Sequence, residues 1–299
     1  MKIYDCFMFY DEENVLDIRL NYLSKFVDKF VIVESKYAHN GDKRKLLFNK
    51  NKFLEYSDKI IYVVLDKNPS DLEIYKEKKI KNNSILAIKV RNAIRRENLQ
   101  RNYILKGLKS ANNNDIIIIS DVDEIPRLDN FNFNKVKNNI YFFEQKYFYY
   151  KLNLFDPNII WYGSRLCKYS KLSSPQWIRN VKAKNYPYWR LDVLFKKNKY
   201  FNNIFIKNGG WHFSYLKQPS GIKKKLKTYL HHNEYELNPI GAKKIYKIVN
   251  ARKAIYDLNL DKRQSNRFLT GSKLNKYNIN LLPDYVKKNK KKFKNWLIK

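Results

Sequence analysis

The sequence predicts an α/β fold, a mixed sheet flanked by helices, and three observations carry that expectation. Ile116 to Ile119 form a run of four β-branched residues, too short for a globular helix and suited to a strand buried on both faces. Residues 2–9, 14–26 and 29–34 read as strand, helix and strand. The isoleucine run stops at Ser120 and is followed by Asp121, Asp123 and Glu124. A buried strand that ends in polar groups is where open α/β sheets place their ligand chemistry.

The first strand is K-I-Y-D-C-F-M-F (2–9), and a polar turn at 10–13 leads into the first helix. There Val15, Ile18, Leu20, Leu23 and Phe26 roughly follow a helical stripe. The second strand, K-F-V-I-V-E (29–34), ends on Glu34, and a loop with Tyr37, His39 and Gly41 follows. A strand–helix–strand unit closing on a carboxylate is the form of a nucleotide-binding half, with that acid near a ribose or base. No G-x-G-x-x-G occurs, so the dinucleotide fingerprint is absent. Residues 59–65 give a third strand, and a helix is expected from about 85 to 108. Glu97, Gln100 and Arg101 share one face of it, an exposed polar face being the plain alternative to a role at a site. Pro126 bars the segment after the acids from a central strand.

The aromatic-rich stretch 141–162 reads as hairpin strands, most of its rings filling core. Trp189-Arg190-Leu191-Asp192 follows, then G-G-W-H-F-S-Y (209–215), whose paired glycines permit close backbone approach. The remainder is basic, with helices expected over 220–230, 242–258 and 284–297. With no long linker or repeat, one domain over 1–299 is expected. Its nucleotide-binding half would run to about 127 and its acceptor half over 128–299, with a helical basic C-terminal extension.

Composition narrows the function. The net charge of +33 suggests nucleic acid, but only 13 of 61 basic residues are Arg, and Lys is poorer at bidentate base or phosphate reading. No zinc finger or RNP-like motif appears, so no nucleic-acid partner is expected. Attraction to anionic lipid or acidic glycan fits better. Cys6 and Cys167 stand in no metal or redox spacing, which fits a reducing cytoplasm. No signal-peptide pattern opens the chain, and no run nears the roughly 18 apolar residues of a spanning helix.

Three carboxylates within four residues repel one another unless a cation or solvent relieves them. Two aspartates spaced i, i+2 at a strand end can share Mn²⁺ or Mg²⁺ with a substrate phosphate. A polar loop with solvated acids is the simpler alternative. A haloacid-dehalogenase-like phosphatase also puts D-x-D after an apolar strand, but Ile125 stands where its Thr or Val is needed and no later acidic pair follows. A non-catalytic carbohydrate-binding protein would explain the aromatics and leave the clustered acids without a purpose.

Taken together, the chain resembles glycosyltransferase family 17, the β-1,4-mannosyl-glycoprotein β-1,4-N-acetylglucosaminyltransferase family. The matching pieces are Y-D-C-F-M-F (4–9), Glu12 with L-D-I-R-L (16–20), V-D-K-F-V-I-V-E (27–34) and A-H-N-G (38–41). They continue through R-E-N-L-Q-R (96–101), I-I-I-S-D-V-D-E-I-P (117–126) and G-G-W-H-F-S-Y-L (209–216). The resemblance implies a GT-A-like, Rossmann-related fold, a UDP-sugar donor (UDP-GlcNAc in the best-known member), a divalent metal and inverting transfer; the expected acceptor is a glycan, or a lipid-linked glycan if the basic tail meets a membrane. Carried over by residue, Asp121 and Asp123 would hold the metal with His212 as a further ligand. Glu34, His39 and Arg101 would line the nucleotide and sugar, and Lys225 would neutralise the leaving diphosphate. For the base that deprotonates the acceptor hydroxyl, the order along the chain favours Asp192, then Glu144.

The tail (286–299) has two readings. As a helix it would gather Val286, Phe293, Trp296 and Leu297 on one side, opposed by lysines, and would lie peripherally on the inner, anionic face of a membrane. Otherwise those residues pack on the domain as an ordinary terminus.

Overall fold

The computed structural model of the chain describes residues 1–75, 83–229, 232–256, 258 and 271–298. β-Branched and aromatic runs in the first 121 residues build the parallel half of the sheet. In chain order these are β1 (Ile3–Phe9), helix α1 (Glu13–Leu23), β2 (Lys29–Ser35), β3 (Ile60–Leu65), helix α2 (Asn83–Asn102) and β4 (Ile116–Asp121). β1 lies between β2 and β4 and β2 pairs with β3, all parallel. Successive side chains of a strand point to opposite faces. Ile116 and Ile118 therefore join Phe7 and Phe30 in the core beside α1, while Ile117 and Ile119 join Tyr4, Cys6 and Val31 against Ile104 and Leu108. Burial on both faces is why the isoleucine run has no polar alternation.

The chain continues through β5 (Glu124–Pro126), β6 (Tyr141–Tyr149), β7 (Leu154–Lys168), α3 (Pro175–Asn180), β8 (Ile204–Ser214), α4 (Pro219–Thr228), α5 (His232–Leu237), α6 (Ala242–Asn250), β9 (Asn275–Lys276) and α7 (Asp284–Lys288). The sheet order is β3-β2-β1-β4-β7-β6-β8-β5, with β9 on β7. β7 is antiparallel to both β4 and β6, and β8 runs parallel to β6. Only two residues join β4 to β5, yet β7, β6 and β8 come between them in the sheet. The sheet must therefore curl until its last strand returns to the end of β4. One sheet thus crosses the division expected near residue 127. Pro126 sits in the terminal strand of that path, where a missing N–H is tolerated. Gly210 has φ +137°, and a Cβ there would lie 2.1 Å from the Ile125 carbonyl oxygen, so the second of the paired glycines permits the close antiparallel pairing of β5 with β8.

Three helices are shorter than the periodicity suggests. α2 gives way to 3₁₀ turns over Tyr103–Leu108, and α6 stops at Asn250, just before Arg252 takes a positive φ of 51°. The helix expected over 284–297 ends at Lys288 and is followed by turns. Leu230 and Lys299, which close two of the expected segments, lie outside the described residues. Val286 and Phe293 are buried in the core that contains Phe7, and Trp296 and Leu297 pack against it. Leu152 N donates to Trp296 O at 2.8 Å, and the Asn153 amide brackets the backbone of Ile298 at 2.7 and 2.9 Å. The tail is therefore a packed terminus and not a free amphipathic helix. No helix among the described residues is long and apolar enough to cross a membrane.

Candidate active site

The turn that joins β4 to β5 carries the acids, and one buried guanidinium shapes it. Arg19, on α1, is fully buried and forms a two-bond pair with Asp5 of β1 at 2.6 and 2.8 Å. Its Nη1 donates to the carbonyl oxygens of Asp121 (3.1 Å), Val122 (3.2 Å) and Glu124 (2.7 Å). Breaking a buried pair by removing one partner leaves an uncompensated charge. Arg19→Met is accordingly expected to destabilise the protein by about 3–5 kcal/mol, read by urea unfolding. A variant as stable as the parent would show that the turn does not depend on Arg19.

Each acid then has its own cations. Asp121 accepts from Arg101 Nη2 and Arg179 Nη2, both at 3.1 Å. Burial alone would raise its pKa, but the two guanidinium groups outweigh burial and hold it at about 2. Glu124, buried, takes Arg179 at 2.7 and 3.0 Å, the Trp161 indole N–H at 2.7 Å and the Asp121 amide at 2.8 Å. Asp123 faces Lys225 Nζ at 3.2 Å and His212 Nε2 at 3.5 Å. Burial opposes its charge, yet these partners keep it well below the usual carboxylate range. Burial likewise opposes the charge on Lys225, and Asp123 with Glu12, 3.5 Å away, overcomes it and raises the ammonium pKa.

These groups surround a cavity of about 240 Å³ at the carboxyl ends of β1 and β4. Its wall includes the carboxylates of Glu12, Glu97, Asp121 and Asp123, the Lys225 ammonium, His39 and His212, and the rings of Tyr147 and Tyr215. The His212 ring stacks edge-on to Tyr147 with centroids 4.3 Å apart. His39 Nε2 lies 3.4 Å from Gln100 Oε1, and burial lowers the pKa of its imidazole.

The structure thus gathers Asp121, Asp123, His212, His39 and Lys225 at one cavity, with Arg101 behind Asp121. The Glu97, Gln100 and Arg101 face of α2 is turned into the site and is not an exposed polar face; Gln100 and Arg101 are buried. Three expected residues are elsewhere. Glu34 is fully buried, and its carboxylate takes Arg44, the amides of Leu47 and Phe48 and the Tyr62 hydroxyl, so it pins the 44–48 loop. Asp192 lies on a 3₁₀ turn away from the cavity wall, held by Arg190 at 2.6 and 3.0 Å and Lys199 at 2.8 Å. Those hydrogen bonds keep its pKa low, which disfavours it as a proton acceptor. Glu144 pairs across the sheet with Tyr162, also outside the cavity wall. Arg179 carries no spacing signal for its role, and Glu12 and Arg19 drew attention only as parts of a longer match.

The fit of a divalent ion can be judged from the donors. No group of three His, Cys, Asp or Glu side chains among the described residues forms a ready-made cage. Asp123 and His212 are instead a two-donor fragment, and His212 Nδ1 is buried without a hydrogen-bond partner. Hard ions at diphosphate sites take one or two carboxylates and complete their shell with water and substrate oxygens. The fragment suits an ion that arrives with its diphosphate. Asp121, expected as the other carboxylate ligand, accepts from Arg101 on one oxygen and from Arg179 on the other.

No curated protein matches the chain. The sequence model of glycosyltransferase family 17 matches residues 1–298, a span that takes in both halves of the sheet and every side chain of the cavity wall. The chain belongs to glycosyltransferase family 17.

Proposed function

We propose that the protein moves a sugar, N-acetylglucosamine, from its UDP-linked form to a hydroxyl of a glycan acceptor, with Mn²⁺ or Mg²⁺ and with inversion. The parallel β3-β2-β1-β4 half, closing on acids at the end of β4, supports a GT-A-like assignment. One observation carries the metal requirement. Four carboxylates line the cavity, and the cations within reach are already paired with them. A diphosphate entering without a cation of its own would meet an acidic wall.

When bound, the ion would be held by Asp123 and His212 and would neutralise charge on the departing diphosphate. Lys225, which lines the same cavity, would donate to the same leaving oxygens. The base is reassigned to Glu12. Of the four cavity carboxylates it is the one bound to neither arginine nor histidine; Oε2 takes the amides of Tyr10 and Asp11, and Oε1 faces Lys225. It accepts the acceptor hydroxyl proton as that oxygen attacks the anomeric carbon and the bond to the diphosphate breaks.

A panel of nucleotide sugars, assayed with Mn²⁺ for nucleoside diphosphate release, tests the reading. UDP release from UDP-GlcNAc, and no GDP release from GDP-sugars, is expected. Phosphate release from simple phosphate esters in place of UDP release would overturn it.

A further inference from the structure

The stretch between α3 and β8 reverses the usual sorting of side chains. Tyr188 and Trp189 are 79% and 80% exposed, Leu191 67%, Leu194 69% and Phe195 84%. No other Trp or Phe among the described residues is exposed. Large apolar side chains exposed together in one short segment point to an interaction site.

The exposure does not come from a loose loop, because the base of the loop is fastened. Asn185 Nδ2 donates to Asn203 O at 2.9 Å and Asn203 N returns a bond to Asn185 Oδ1 at 2.7 Å. Lys182 N donates to Asn198 O at 2.8 Å, and Trp177 Nε1 to Lys197 O at 2.6 Å. Tyr186 and Val193 are buried at the root, and Asp192 ties Arg190 to Lys199. With its base fastened and only Tyr186 and Val193 buried, the loop presents both its large apolar side chains and its lysines to the outside.

Charge identifies the surface they meet. Residues 182–199 hold six cations, Lys182, Lys184, Arg190, Lys196, Lys197 and Lys199, against the single acid Asp192, which is itself ion-paired. Trp and Tyr prefer the level of lipid head groups, and lysines beside them are drawn to anionic ones. We propose that this loop docks on an anionic lipid bilayer, its rings and leucines entering the interface and its basic collar resting on the head groups. Membrane contact expected of the basic tail is thereby assigned to a different segment. The Trp177–Lys197 bond ties the loop to α3, the helix that carries Arg179, so docking would set the acid cluster near the bilayer.

Co-sedimentation of the full chain with vesicles tests this, using equal phosphatidylglycerol and phosphatidylcholine against phosphatidylcholine alone. Binding at least ten-fold stronger to the anionic vesicles is expected. Trp189→Ser with Phe195→Ser, which leaves every charge in place, should weaken it at least ten-fold with an unchanged melting temperature. Lys196→Glu with Lys197→Glu should do the same. If the aromatic double variant binds as tightly as the parent, the vesicles are held only by the general charge of the chain and the proposal fails. It fails equally if the parent ignores vesicles and the loop is needed only for binding an acidic protein.

Discussion

Asp123→Asn is expected to lower sugar transfer by roughly 10³-fold or more, the several kcal/mol that a bound divalent ion contributes to charge stabilisation. The fold should persist. Asp123 has no bond to Arg19, whose guanidinium holds the turn through the carbonyls on either side. The Asp123 backbone stays paired to Phe213 at 2.8 Å, and Lys225 keeps Glu12 as a counter-charge at 3.5 Å. Transfer rate and circular dichroism melting, measured side by side, separate loss of chemistry from loss of structure. Near-normal turnover would mean that the acids are only a polar turn after a core strand.

Glu12→Gln should reduce the transfer rate by roughly 10² to 10⁴ with donor affinity kept. The amide retains an acceptor oxygen for the amides of Tyr10 and Asp11 but cannot take a proton from the acceptor hydroxyl. Steady-state kinetics with a soluble acceptor, alongside UDP binding, provide the check. A loss confined to donor binding would move Glu12 into the donor pocket and contradict the base assignment. Asp192→Asn, by contrast, should leave the rate within a few-fold of the parent, because that carboxylate is committed to Arg190 and Lys199.

What could be read from the sequence was local. The isoleucine run, its abrupt stop and the Pro126 limit are properties of neighbouring residues, and each has its counterpart in β4 and in the terminal β5. The i, i+3, i+4 set on α2 was legible as a face, but whether that face met water or the site depended on α3 bringing Gln176 and Arg179 against it. Glu34 misled because a carboxylate ending a strand can be bound by ligand or by protein. Its partners come from the 44–48 loop and from β3, which no local pattern announces. Asp192 was placed by order along the chain, and order does not fix position in space when fastened backbone carries an exposed loop between α3 and β8. Helix ends were missed where a positive φ or a run of turns follows, as at Arg252 and after Lys288.

The central claim is that the acids at the end of β4 bind a nucleotide diphosphate only together with a divalent ion. Calorimetric titration of UDP into the parent protein with Mn²⁺, and again with excess chelator, measures it directly. The account predicts saturable binding with Mn²⁺ that weakens at least 100-fold with chelator, and no Mn²⁺ dependence in Asp123→Asn. Equal UDP affinity with and without the ion in the parent protein would contradict it.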